Sequence, residues 1–197
     1  FTDLVALDGD GQPRRLKEPS TPPDFETGVI GGLTRLTHGE MGELGELVHA
    51  STVATNAILQ RQGPRTGLIT TEGFRDVLEI GRLRYPRLYD LAWRKPQPLV
   101  PRNLRLGVPE RIQADGSVLR RLDRRAVRRA LRRLRAAGVE SLAVCLINSY
   151  ANHAHERAIG ELAQQELPGV PVSLSVDVLP VIREFDRTST TVINAFL

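Results

Sequence analysis

The chain has 197 residues, 41% of them hydrophobic and 25% charged, with a formal net charge of +4. That length suits one large domain or two small ones and can bury a core, and the composition points to a soluble globular chain. A single cysteine, Cys145, excludes an internal disulfide or a cysteine-based zinc site. No apolar run approaches a membrane span, and the N-terminus lacks the pattern of a secretion signal, so the expected compartment is the cytoplasm, without membrane or nucleic-acid partners.

The opening stretch FTDLVALDGDGQPRRLKEPS reads as strand, tight turn, strand, because Asp8-Gly9 and Asp10-Gly11 accept positive φ at little cost. A calcium loop would need further carboxylates and a glycine at its sixth position, and neither is there. PPDFETGVIGGLTRLTHGEM predicts a helix with Val29, Ile30, Leu33 and Leu36 toward the core. LVHASTVATNAIL, residues 47–59, reads as a strand end running into a short helix. Thr52, Thr55 and Asn56 share one face of that helix at i, i+3 and i+4 spacing, while Val53, Ala54, Ala57, Ile58 and Leu59 offer an apolar side. Those three polar groups either satisfy one another or line a site.

TGLITTEGF predicts a short strand turning into a helix near Phe74. From Gly81 to Leu104 neither period is present, and four prolines, five arginines, Tyr85, Tyr89 and Trp93 share the stretch. Long loops inside a domain are uncommon and often form functional or interface segments, so this one is the candidate partner surface. Salt bridges to acids are the expected use of Arg82, Arg84 and Arg87. Beyond Leu104 the pattern is regular: strand LGVPERI, a turn at Asp115-Gly116, helix, strand SLAVCLIN, helix NHAHERAIGELAQQEL, strand VPVSLSV. This alternation, with continuous apolar strands, predicts an α/β fold whose sheet is mixed, mainly parallel and covered on both faces by helices.

The arginine-dense segment DRRAVRRALRRLRAAG carries Val127, Ala130, Leu131, Leu134 and Ala137 as a helical stripe, with Asp123 as N-cap and Gly138 as stop. No aromatics interleave with its arginines, so it reads as a solvated amphipathic helix. EFDRTSTTVINAFL groups Thr188, Ser189, Thr190 and Thr191 behind Asp186 and Arg187. A run of hydroxyls suits a helix start, either with spare hydroxyls on solvent or as an oxygen-rich end holding a polar ligand. His38, His49, His153 and His155 show no metal-ligand spacing, so no metal site is expected within the residues themselves. Nucleophile-elbow, Walker and dinucleotide fingerprints are absent.

Taken together and in order, FTDLVALD, VHASTVATNAILQR, TGLITTEGFRDVLEIGR, LYDL, VPERI, GVESLAVCLINSYANHAHE and REFDRTSTTVINAF resemble the N-terminal region of the hydantoinase A / 5-oxoprolinase family almost end to end. The resemblance implies the first lobe of an actin-like (ribonuclease H-like) ATPase and an ATP-dependent hydrolase subunit that opens cyclic amides such as 5-oxoproline or hydantoins. Related ketone carboxylases, or a non-catalytic α/β binding module, are the alternatives. It implies ATP and Mg as cofactors and a hydantoinase B-type partner. Residues 1–197 would be one N-terminal domain, a fragment without the family's leading Asp-x-Gly-Gly-Thr phosphate turn and its following second lobe, and inactive alone. His49-Ala50-Ser51-Thr52 stands where the family has His-Gly-Thr-Thr, so Ala50 would tighten a close backbone approach. By the same resemblance Asp3 is the candidate catalytic residue, orienting a metal-bound water or magnesium. Thr2, Thr52, Thr55, Asn56, Arg187, Thr188 and Thr191 would bind substrate or nucleotide across an interlobe cleft. Such phosphoryl-transfer chemistry relies on positioning and charge stabilisation, so no nucleophile–base pair is required.

Overall fold

Asp8 closes the first hairpin as its Asp-Gly pairs predict: Oδ1 accepts the N–H groups of Asp10 (3.1 Å) and Gln12 (2.8 Å), and Gly11 takes φ +74°. The hairpin belongs to the first of two units, Phe1–Ser51 and Thr52–Leu197, in a computed structural model that describes residues 1–82 and 89–197. Strands β1 (Thr2–Leu7) and β2 (Pro13–Glu18) pair antiparallel with Leu4 opposite Leu16, and helix α1 (Phe25–Leu36) packs on them. The side of α1 that is buried holds Gly28, Gly32 and Leu36, whereas Ile30 is 53% exposed and Val29 and Leu33 are half-buried. A Cβ on Gly32 would stand 2.6 Å from Leu4 Cδ1. Two glycines one turn apart thus let the helix backbone approach the hairpin, which turns the apolar row aside from the predicted facing. The expected strand end over 47–51 does not form, and Leu47 and Val48 are exposed there.

In the second unit, α2 (Val53–Gln60) precedes a four-stranded sheet ordered β4-β3-β7-β8. Its strands are β3 (Thr66–Thr71), β4 (Arg105–Val108), β7 (Ser141–Cys145) and β8 (Val172–Leu174), and every pairing is parallel. The expected single mixed sheet therefore separates into a purely parallel sheet and two antiparallel hairpins. Pro109 is the reason for the second hairpin: without an N–H it ends β4, and the chain resumes as β5 (Arg111–Ile112) paired with β6 (Val118–Arg120) around the Asp115-Gly116 turn.

Helices cover both faces of the parallel sheet. On one lie α4 (Arg124–Ala136) and α5 (Ala154–Glu166), and a Cβ on Gly67 would stand 3.2 Å from Leu134 of α4. On the other lies α7 (Glu184–Phe196), joined by the short helices α3 (Val77–Ile80) and α6 (Ser175–Val178). Helix α4 follows its sequence closely. Asp123 Oδ1 accepts the Ala126 N–H at 2.9 Å, and Val127, Ala130, Leu131 and Leu134 are buried. Burying each large apolar side chain of this face contributes about 1.5–3 kcal/mol. Arg128 and Arg132 reach Glu166 of α5 at 2.7 and 2.9 Å, which holds that carboxyl at a pKa of about 2, chiefly through Arg132.

Of the aperiodic stretch, residues 83–88, with Arg84, Tyr85 and Arg87, lie outside the described residues. Arg82 pairs with Asp186, and Arg102 grips Asp76 through two bonds of 2.9 Å, so acids do engage the arginines described here. Residues 89–101 form neither helix nor strand.

Candidate functional site at the carboxyl edge of the sheet

Strand β3 comes first in the sheet, its successor β4 lies on one side, and β7 lies on the other. The topological switch point is therefore between β3 and β7, and sheets of this kind bind ligands outside the carboxyl ends of their strands at that point. A buried polar network occupies this edge. Thr71, the last residue of β3, donates its hydroxyl to Glu110 and accepts the Ile147 N–H at 2.9 Å. Glu110 stands just beyond β4 and is 2% exposed, and its second oxygen meets His155 Nδ1 at 2.8 Å. A carboxylate oxygen accepts, so Nδ1 is the donor to an ionised Glu110, and the bond fixes the orientation of the ring.

Glu156, one residue on, is fully buried. Its Oε1 accepts the Leu146 N–H at 2.8 Å and the Ser175 hydroxyl at 2.7 Å, while Oε2 accepts the Val176 N–H at 3.1 Å. Burial pushes this carboxyl above its ordinary value, against the pull of those donors. The network ties the ends of β3, β4, β7 and β8 to the start of α5. Its consequence is a set of strand ends held in fixed register, with one imidazole in a single orientation.

Beside it, Arg187 of α7 is fully buried and no carboxylate stands within ion-pair distance among the described residues. Its guanidinium donates to Leu146 O (2.5 Å), Val181 O (3.1 Å) and Cys145 Sγ (3.4 Å) and lies 5.5 Å from the Tyr150 ring centre. Thr188 donates to the same sulfur at 3.2 Å, and Thr191 donates back to Arg187 O at 2.7 Å. Cys145 is a buried core thiol, its pKa raised by burial.

The residues singled out in the sequence fall into three groups. Thr2, half-buried, and the exposed Asp3, 3.4 Å from Lys17, lie on β1 in the first unit. Thr52, Thr55 and Asn56 lie together at the start of α2, all exposed, with Asn56 Nδ2 3.4 Å from Thr52 Oγ1. That helix has no buried residue, contrary to the packed apolar side its sequence suggests, and Val53 and Leu59 are 44% and 76% exposed. Arg187, Thr188 and Thr191 form the third group, on the buried face of α7 with Val192, Ala195 and Phe196. They do not present spare hydroxyls to solvent. The strand edge supplies their partners inside the unit.

Glu110, Glu156 and Thr71 escaped the sequence reading, and His155 was weighed there only as a metal ligand, although a signal was present. Three of the four parallel strands end at or shortly before a polar residue: Thr71 after LIT, Glu110 after GVP, Asn148-Ser149 after CLI. Polar groups at successive strand ends are the residues that the topology gathers at one edge.

The hydantoinase/oxoprolinase N-terminal region is the family whose model matches, over residues 1–167. The acetophenone carboxylase gamma subunit of Aromatoleum aromaticum is 39% identical over 217 residues, taking in 100% of this chain and 30% of that protein. The crystal structure of the ATP-dependent caprolactamase from Pseudomonas jessenii superposes with a TM-score of 0.85 at 34% identity, covering 100% of this chain and 30% of that one. A nucleotide-free acetone carboxylase structure gives a TM-score of 0.88 at 32% identity, over 98% of this chain and 30% of its own. The chain thus spans about 30% of the length of each of these three relatives. With a family match over most of its length and a shared fold from end to end, the chain belongs to the hydantoinase/oxoprolinase N-terminal family.

Proposed function

We propose that this region is the N-terminal part of an ATP-dependent enzyme subunit that opens cyclic amides, 5-oxoproline or hydantoins among them. The observation that carries the reading is the likeness, over the whole chain, to a structure described as an ATP-dependent caprolactamase. An ATP-dependent ketone carboxylase is the second reading, favoured by the likeness to carboxylase subunits. On either reading the region forms the first of two actin-like lobes that close on nucleotide. It works in the cytoplasm and joins a hydantoinase B-type partner, with the 81–104 segment at the contact.

Thr52, Thr55 and Asn56 are the groups best disposed to meet substrate or nucleotide. They share one face, they are exposed, and the side-chain contact between Asn56 and Thr52 is a long bond of 3.4 Å that a ligand can replace. Thr2 and Asp3 would stand at the phosphates. Asp3 offers one carboxylate, and magnesium commonly takes one or two carboxylates with phosphate oxygens and water completing its shell, so the residue fits as a single ligand. ATP, when bound, supplies the phosphoryl group that activates the amide oxygen. Arg187, Thr188 and Thr191 act from within, by fixing the end of β7 on which the edge network stands. This division of labour suits a reaction that depends on positioning and electrostatic stabilisation.

The test is ADP release by the full-length protein with its partner subunit, in the presence of 5-oxoproline, a hydantoin, a seven-membered lactam, or acetophenone with bicarbonate. Stimulation by a cyclic amide is expected. Stimulation by the ketone alone would select the carboxylase reading, and no stimulation by any of them would contradict both.

A further inference from the structure

Three side chains from three elements hold one stretch of backbone, the two residues that follow β7. Glu156 of α5 accepts the Leu146 N–H at 2.8 Å, Thr71 of β3 accepts the Ile147 N–H at 2.9 Å, and Arg187 of α7 donates to Leu146 O at 2.5 Å. All three are 2% exposed or less. Asn148 comes next, in the left-handed region at φ +56°, and its Nδ2 donates to Ile112 O at 2.9 Å. Asparagine tolerates that region better than most residues, and here a side-chain bond fixes it as well. The path out of β7 is thus set residue by residue.

The hold by Thr71 differs from the other two because a hydroxyl has one hydrogen. Thr71 commits it to Glu110, so its oxygen faces the Ile147 N–H as an acceptor. Glu110 takes His155 Nδ1 on its other oxygen at 2.8 Å. Its side chain is fully buried, with no lysine or arginine within ion-pair distance among the described residues. The donors therefore run one way, from Ile147 to Thr71 and from Thr71 to Glu110, and the carboxylate beyond β4 ends the chain. A buried carboxylate is costly unless its oxygens are bonded, and apolar side chains of similar volume would fill the space without that cost. What the polar chain adds is a fixed distance between β3 and the β7 turn. Those two strands flank the switch point, where sheets of this kind take their ligands.

Resting on the reading of this chain as part of an ATP-dependent enzyme, we propose that Thr71 is a positioning residue of that reaction. Directed by Glu110, its hydroxyl holds the turn at 146–148 where the carboxyl edge needs it. Thr71 acts through the turn and not by touching the reacting groups. Its loss leaves the strand end present but loosely placed, and misplacement of that kind lowers rate more than affinity.

The test compares T71V and T71S in the full-length protein with its partner subunit. Valine matches the shape of threonine without the hydroxyl, whereas serine keeps it. With the substrate that stimulates ADP release by wild type, T71V should lower kcat at least about tenfold while KM for ATP and substrate changes less than about threefold. T71S should stay within about threefold of wild type in both. Hydrogen–deuterium exchange of the same proteins should rise in T71V for the peptide covering 146–149 and stay unchanged along α4 and α5. Should T71V not fold, T71A removes the hydroxyl with less bulk and is read the same way. A kcat equal to wild type in T71V, or a loss in T71S as large as in T71V, would overturn the proposal. So would exchange raised equally along α4 and α5, which marks a merely structural loss. If no substrate stimulates wild type, the proposed function fails and exchange decides alone. Protection of 146–149 unchanged in T71V then overturns the positioning role, and protection lost there alone supports it.

Discussion

Toward α4 and α5 the parallel sheet presents Gly67, Ile69, Leu142 and Val144, and the buried side chains that meet this face include Leu131, Leu134 and Ile159. Toward α7 the same strands present Thr66, Thr70, Ser141 and Cys145 around Leu68 and Ala143, and the helix answers with Arg187, Thr188 and Thr191, all 3% exposed or less, beside Val192 and Ala195. The first face is held by dispersion and by exclusion of water, which constrain volume more than identity. On the second, each polar group needs a particular partner, as when Ser141 donates to Thr66 at 2.8 Å and Thr188 to Cys145 at 3.2 Å. A polar interior costs stability wherever one partner is lost, and in return it fixes geometry. The fixed geometry belongs to the strand ends where the buried carboxylates and His155 gather.

Breaking the polar face at its centre should have the largest effect. Arg187→Ala leaves the Leu146 and Val181 carbonyls without their donor and opens a cavity, so urea unfolding should show a loss of about 3–5 kcal/mol. Leu134→Ala on the apolar face should cost about 2–4 kcal/mol, with a shrunken side chain as its whole cause. The comparison sharpens with volume-preserving changes. Thr188→Val should cost about 1 kcal/mol through the lost bond to Cys145, whereas Leu142→Met on the other face should stay within about 1.5 kcal/mol with no bond involved.

The smallest effect concerns pH. Glu166 is held at a pKa of about 2 by Arg132 and Arg128, below the ordinary carboxylate value. A depressed folded pKa contributes stability above the ordinary value, and that contribution is lost as pH falls toward 2. Glu166→Gln should therefore flatten the fall in urea midpoint between pH 5 and pH 2, while leaving the α7 face untouched.

How much of this was legible in the sequence depends on the kind of signal. Periodicity located α4 and its stripe because an amphipathic helix writes its buried side directly into residue spacing. The hairpin turn was equally plain, since Asp8 and Gly11 have local roles. The facing of α1 was misread because glycine packs by having no side chain, and Gly28 and Gly32 carry no apolar signal. α7 was harder still: its hydroxyls and Arg187 read as polar and outward, yet the strands beneath are polar too, so the helix turns that side inward. The Glu110–His155 pair joins residues 45 positions apart, and nothing in local spacing announces such a contact. Family resemblance, by contrast, was carried by ordered motifs along the whole chain, which is why it named the family when bottom-up chemistry did not name a reaction.

The measurement that bears most directly on the central claim is substrate-stimulated ATP hydrolysis by the full-length enzyme carrying Thr55→Ala or Asn56→Ala. Both residues are exposed and α2 buries none of its side chains, so neither change should lower the thermal midpoint appreciably. If their polar face meets substrate or nucleotide, stimulated turnover should fall at least about tenfold in each variant, a loss of about 1.4 kcal/mol or more in transition-state stabilisation. Turnover equal to wild type in both would contradict the assignment and leave Thr52, Thr55 and Asn56 as ordinary surface groups.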